Sequence, residues 1–143
     1  MDSYQYSFEK LDVWKNARLF VVDVYKLTGK FPKEEIYCLT SQIERAVVSI
    51  VSNIAEGSSR ISLKEQIRYT EISYGSALEV YCQLIIALDL KYISKTDFQE
   101  MNKKIKIITI QLNALKNSQI KRLNEKYPTE INSSTHINLS TNE

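Results

Sequence analysis

Apolar positions recur at three- and four-residue spacing over four long stretches of this chain, the pattern of amphipathic helices rather than of strands. The first stretch runs from Phe8 to Thr28, with Val13, Ala17, Phe20, Val24 and Leu27 on one stripe and Trp14, Val21 and Tyr25 beside it. Gly29 is expected to end this helix in a left-handed conformation. Lys30, Phe31 and Pro32 then lead into a second helix over Lys33 to Glu56, with Glu34 and Glu35 at the positive end of its dipole and Leu39 and Thr40 as its breaking point. Gly57 is expected to close it. Ser62 and Glu65 form the pattern of a capping box for a third helix, whose stripe reads Leu63, Ile67, Thr70, Tyr74, Ala77, Tyr81, Leu84 and Leu88. Gly75, Ser76 and Ala77 sit mid-helix, where glycine costs about 1 kcal/mol against alanine, so another backbone is expected to approach there. After a loop near Lys91 to Ile93, Ser94 and Asp97 open a fourth helix with the stripe Phe98, Met101, Ile105, Ile108, Leu112 and Leu115, ending near Leu123.

The segment Ser41 to Arg60, SQIERAVVSIVSNIAEGSSR, dominates this pattern. Leu39, Ile43, Ala46, Ile50 and Ile54 make one buried stripe, and Val47, Val48, Val51 and Ala55 fill the flank beside it. One neighbouring face is not expected to cover both. Either this helix sits in the middle of a larger core, or its second face meets another copy of the chain, for which Val47, Val48, Val51 and Ala55 are the candidate contact. Ser41, Gln42, Ser49 and Asn53 alternate among the apolar positions to satisfy helix ends and inter-helix contacts, or else Asn53 and Glu56, with the Gly57 to Arg60 loop, form a recognition edge or a subunit-fixing network. Arg45, Asn53, Glu56 and Glu79 are the candidate polar network. Glu56 faces the negative end of the helix dipole and needs a cation, for which Arg60 and Arg45 are the candidates.

The chain of 143 residues fits one domain, and its three glycines and two prolines favour an all-helical fold over a turn-rich β fold. Four helices with short connections predict an antiparallel up-down-up-down four-helix bundle over residues 8–123. Residues 1–7 read as a flexible N-terminus. From Asn124 to Glu143 the composition shifts to Asn, Ser and Thr, and this polar tail is expected to be disordered. Cys38 and Cys82 lie among apolar neighbours without CxxC spacing and are expected to be small buried thiols. No apolar run approaches the roughly 20 residues of a membrane span, and MDSYQYSFEK lacks the apolar centre of a signal peptide, so a cytoplasmic protein is expected.

Catalytic constellations are missing. The single histidine, His136, lies in the tail, which removes Glu-x-x-His di-iron motifs and Ser-His or Cys-His nucleophile pairs. No glycine-rich phosphate loop occurs. The expectation is a protein that is not an enzyme and uses no metal or other cofactor. Charge is the remaining signal. The net formal charge is +2, yet between Phe8 and Leu123 18 Lys or Arg stand against 13 Asp or Glu. Lys103, Lys104, Lys106, Lys116, Lys121 and Arg122 follow one another on the fourth helix with no acid between Lys103 and Arg122, and Arg60, Lys64 and Arg68 cluster near the start of the third. Such residues either contact nucleic-acid phosphates or form a solvated helix face.

The segments FEKLDVWKNA, LTGKFPKEE and SQIERAVVSIVSNIAEGSSR, followed by GSALEVYCQLIIALDLKYIS, resemble the four-helix-bundle protein family encoded by intervening sequences of bacterial 23S ribosomal RNA genes. That family is also similar to the accessory variability determinant of diversity-generating retroelements. The resemblance covers about Phe8 to Leu123. It implies a bundle assembling as a ring-shaped homopentamer that binds structured RNA or a ribonucleoprotein. The retroelement relative implies an alternative, a scaffold or accessory subunit that docks onto a protein partner such as a reverse transcriptase. Two departures stand out: Glu44 precedes Arg45 where the family usually carries two arginines, and Gly57, Ser58, Ser59 and Arg60 replace the common GFGR.

Overall fold

Residues 3–128 are described by this computed structural model, and among them the chain is all-helical, with four long helices and no strand. These are α1 (Asp12–Thr28), α2 (Ser41–Ser58), α3 (Leu63–Asp89) and α4 (Lys95–Lys126). Each packs on two others: α2 and α3 share the largest contact, followed by α3 with α4, α1 with α2, and α1 with α4. Across α2 and α3 the contacts run in opposite sequence order, from Arg45 with Glu79 through Ser49 with Ser76 to Gly57 with Tyr69. The same reversal relates α1 to α4, through Asn16 with Gln111, Asp23 with Lys104 and Lys30 with Asp97. Phe20, Ile43, Ile50, Leu84, Ile105, Ile108 and Leu112 meet in the middle and are almost wholly enclosed.

Several boundaries differ from the pattern in the sequence. The first stretch is divided: Ser7–Lys10 forms a 3-10 turn, and extended Leu11 separates it from α1. Gly29 is right-handed, not left-handed (φ −59°). The second stretch breaks at Cys38 (φ −122°, ψ −111°), within a distorted turn at Ile36–Thr40 that precedes α2. Gly57 does not end α2. It lies buried inside the helix, where an added Cβ would stand 2.7 Å from the Cβ of Tyr69. Ser62 caps α3 through the Glu65 amide (3.2 Å), while the Glu65 carboxylate turns to Arg68 (3.5 Å) rather than completing the box. The one non-glycine residue with positive φ among the described residues, Lys91 (62°), turns the chain after α3, and the Tyr92 amide bonds back to the Ala87 carbonyl at 2.9 Å. α4 is capped by Ser94 and Asp97 as expected, and runs to Lys126 rather than stopping near Leu123.

The buried face of α3 is rotated from the expected stripe. Thr70, Ser73, Ala77, Val80, Leu84 and Ala87 face the core, while Leu63, Ile67, Tyr74, Tyr81 and Leu88 are half-buried flanks. Small residues win the central positions because α2 and α3 pack closely: the Ser73 hydroxyl donates to the Ile50 carbonyl at 3.0 Å, and the hydroxyls of Ser49 and Ser76 lie 2.8 Å apart. Gly75 is not part of that contact. It is exposed, with nothing within 4 Å of an added Cβ.

The surplus of apolar surface is also displaced. Ile43, Ala46, Val47, Ile50 and Ile54 of α2 are covered by the chain itself, because α2 packs between α1 and α3 with the Ser7–Lys10 turn against it as well. Val47 is therefore spent in the core. Val48 is 38% exposed, and Val51 and Ala55 are half-buried. The helix that is apolar on opposite sides is α3, whose outer face carries Ile72, Gly75, Leu78, Cys82, Ile85 and Ile86 at helical spacing. Cys38 and Cys82 are both exposed, against the expectation of buried thiols, since Cys38 sits at the kink before α2 and Cys82 on this outer face.

Candidate nucleic-acid interface

At one end of the molecule the last turn of α2, the first turns of α3 and the last turns of α4 come together. A cavity there is lined by residues of the Ser7–Lys10 turn, α2, α3 and α4, including Gly57, Gln66, Gln119 and Arg122. Beside it, a mostly apolar groove lies between Leu63 and Lys64 of α3 and Leu123, Lys126 and Tyr127 at the close of α4. The fold thus brings Arg60, Lys64, Arg68, Lys121 and Arg122 to one end from two separate stretches of sequence.

The cations of this end differ in freedom. Arg60 is pinned: its guanidinium carbon lies 4.8 Å from the centre of the Tyr69 ring, a terminal nitrogen donates to the Tyr69 hydroxyl at 2.8 Å, and Glu56 stands 3.8 Å away. Gln66 holds the Arg60 carbonyl at 2.8 Å. Glu56 is thereby answered by Arg60, while Arg45 pairs with Glu79 at 2.7 Å. Lys64, Lys121 and Arg122 are exposed and have no acidic partner among the described residues. Exposed pairs such as Arg60 with Glu56 are worth at most about 1 kcal/mol, so a phosphate competes with them easily.

The remaining lysines of α4 do not join this group. Lys104 and Arg122 are separated by about 27 Å along the helix axis at 1.5 Å per residue. Lys104 is held by Asp23 at 2.7 Å, Lys116 is half-buried, and Lys103 and Lys106 are exposed along the length of α4. The opposite end of the molecule is knitted to itself instead. Tyr92 donates to Glu35 at 2.9 Å, which together with the carboxylate charge raises the Tyr92 phenol above its usual pKa, and Lys30 holds Asp97 at 3.0 Å, which lowers the Asp97 carboxyl.

The polar residues of α2 divide into local pairs rather than one network. Asn53 donates to the Ser49 carbonyl at 2.8 Å, Arg45 bridges Gln42 and Glu79, and Glu56 meets Arg60. Glu44 accepts from the Thr28 hydroxyl at 2.8 Å. Two residues of the end were not singled out in the sequence. Tyr69 orients Arg60, and Gln119 pairs with Thr70 inside the cavity at 2.8 Å, only 6% exposed. Gln119 had a readable signal: it continues the α4 stripe one step past Leu115, a polar side chain at a core position.

The family described as 23S rRNA-intervening sequence protein matches residues 9–114. The chain belongs to this family. A crystal structure of a protein of unknown function from the S23 ribosomal protein family, from Bacteroides thetaiotaomicron, superposes with a TM-score of 0.69 at 23% identity, over 73% of this chain and 95% of that one. At that identity the likeness concerns the fold alone. No curated protein matches the chain. The matched residues hold Arg60, Lys64 and Arg68, whereas Gln119, Lys121 and Arg122 lie beyond them. Among the described residues no cluster of three or more His, Cys, Asp or Glu is placed to hold a metal, and no helix is long and apolar enough to cross a membrane. His136 lies outside the described residues, as does the expected disordered tail from residue 129 onward.

Proposed function

We propose that this protein binds structured RNA without catalysing a reaction, through the end of the molecule that gathers Arg60, Lys64, Arg68, Lys121 and Arg122. The observation that carries this reading is the convergence of five cations from the α2–α3 connection, α3 and α4 on one end, three of them without acidic partners among the described residues. Membership of a family named for 23S rRNA intervening sequences supports ribosomal RNA as the source of the ligand. Phosphate contacts of this kind give affinity that falls with salt, with a logarithmic slope of about −0.7 to −0.9 for each contact. Filter binding of a ribosomal RNA helix at graded salt is the test. A slope of roughly −3 to −4 is expected for five cations that engage incompletely, and no binding at low salt would refute the reading.

The helices form an up-down-up-down antiparallel bundle in this reading, in line with the opposed contact order, and the bundle self-associates, with a ring-shaped homopentamer as the arrangement. Support comes from the outer face of α3, where Leu78, Ile85 and Ile86 are exposed opposite an already apolar core face, and from Val48, Val51 and Ala55 at the margin of α2. The same α3 face favours a second reading, an accessory subunit docking onto a protein partner such as a reverse transcriptase. Capture of a partner that survives nuclease and high salt distinguishes it from RNA binding.

A further inference from the structure

The cavity at the cationic end is built for more than a phosphate. It encloses about 200 Å³, below the roughly 300–1,000 Å³ of drug-sized sites and suited to one planar ring system. Leu11, Ile54 and Leu115 give it apolar walls, Ser7, Ser58, Gln66 and Thr70 add polar ones, Gln119 supplies an amide within it, Arg122 lines it as its cation, and no acid lines it. Gln119 is 6% exposed, yet its amide makes one hydrogen bond among the described residues, with Thr70. The Thr70 hydroxyl lies within bonding distance of both the Gln66 carbonyl (3.0 Å) and the Gln119 amide (2.8 Å). A hydroxyl has one proton. Given to the Gln66 carbonyl, it leaves Thr70 accepting from the Gln119 amide nitrogen, and the assignment of amide oxygen and nitrogen follows this network. Either way round, one of the two polar atoms of the Gln119 amide has no protein partner among the described residues and remains open to solvent, beside a cavity whose lining is part apolar and part polar.

We propose that this cavity receives the base of a nucleotide whose phosphate rests on Arg122. An amide offers a donor beside an acceptor, which matches the edge of a nucleobase, and RNA bases splayed from a loop or bulge are read in this way. The inference rests on the RNA-binding reading and deepens it: helix phosphates meet the exposed cations, and one unpaired base enters between α2, α3 and α4.

The test titrates the four nucleoside 5′-monophosphates, the matching nucleosides and inorganic phosphate into the protein, reading the methyl resonances of Leu11, Ile54 and Leu115. At least one nucleotide is expected to shift these methyls saturably, and to bind about tenfold tighter than its nucleoside through the charge-assisted contact. Arg122→Ala, an exposed change that leaves the fold intact, is expected to erase that difference. Gln119→Leu is expected to abolish the shifts while the protein stays folded by circular dichroism. Unmoved methyls, unchanged nucleotide binding in Gln119→Leu, or equal competition by inorganic phosphate would each overturn the proposal. If these fail while an RNA duplex still binds with steep salt dependence, the cavity assignment alone falls. If nucleotides bind and RNA does not at low salt, the cavity stands and the RNA reading falls.

Discussion

Gly57 of α2 and Tyr69 of α3 approach so closely that a Cβ on the glycine would stand 2.7 Å from the Cβ of the tyrosine. This contact fixes the last turn of α2 against the first turns of α3 and so places Arg60 over the Tyr69 ring. Replacing Gly57 by alanine removes a glycine from the last turn of α2, a gain of at most about 1 kcal/mol, but drives the new methyl into the Tyr69 Cβ at a cost of about 1–3 kcal/mol. Gly57→Ala is therefore expected to lower stability by roughly 1–2 kcal/mol in denaturant unfolding and to weaken RNA binding through Arg60. A stabilised Gly57→Ala protein would show that α2 and α3 are not clamped here.

Gly75 presents the opposite case. With nothing within 4 Å of its would-be Cβ, alanine there should raise the stability of the single chain by about 0.5–1 kcal/mol. If the outer face of α3 meets another copy, the same change should loosen the assembly, because the added methyl lies on that face. Sedimentation across a concentration series reads the second effect separately from the first. The two exposed thiols supply a footprint: Cys82 on this face is expected to resist a thiol reagent as protein concentration rises, while Cys38 at the kink before α2 reacts throughout. Equal reactivity of both at every concentration would place the assembly contact elsewhere.

Four helices and most of their core residues were legible in the sequence, because the α1, α2 and α4 stripes have large aliphatic side chains at unbroken three- and four-residue spacing. The α3 stripe was misread for a physical reason. Thr70, Ala77 and Leu84 of the expected stripe are buried, but the core positions Ser73, Val80 and Ala87 were missed, two of them small, while bulkier Tyr74, Tyr81 and Leu88 sit at the flanks. Gly29 ends α1 as expected but without a positive φ, whereas Gly57, expected to stop α2, lies inside its last turn. Gly57 is required by an inter-helix approach that no local pattern contains. For the candidate interface, Arg60, Lys64 and Arg68 were visible as a cluster, but their union with Lys121 and Arg122 depends on how α3 and α4 align. Conversely, the run of lysines on α4 looked continuous in sequence, whereas the fold separates Lys104 from Arg122 by most of a helix.

The lowered carboxyl of Asp97 gives a dependence on pH. Its chief cause is the hydrogen bond from Lys30, with support from the Ser94 hydroxyl and from the Ser94 amide, which donates to the carboxylate. A carboxyl whose pKa is depressed by folding contributes stability that is fully present above its unfolded value near 4, and that is lost as pH falls through the folded value. Asp97→Asn should therefore flatten the stability profile of the protein below about pH 4 and leave its shape at pH 6–8 unchanged, because Lys30 stays protonated there. Thermal unfolding at graded pH checks this, and an unaltered acid limb in the variant would remove Asp97 as its source.

The most direct test of the account compares two double variants of equal charge change by RNA affinity at low and moderate salt. Lys64→Glu with Arg122→Glu alters the gathered end, and Lys103→Glu with Lys106→Glu alters the exposed length of α4; all four residues are exposed and lack an acidic partner among the described residues. The first pair is expected to weaken binding at least about tenfold and to reduce the logarithmic salt slope by roughly two, while the second leaves affinity within about threefold. Equal losses from both pairs, or a larger loss from Lys103 and Lys106, would contradict an RNA site at that end.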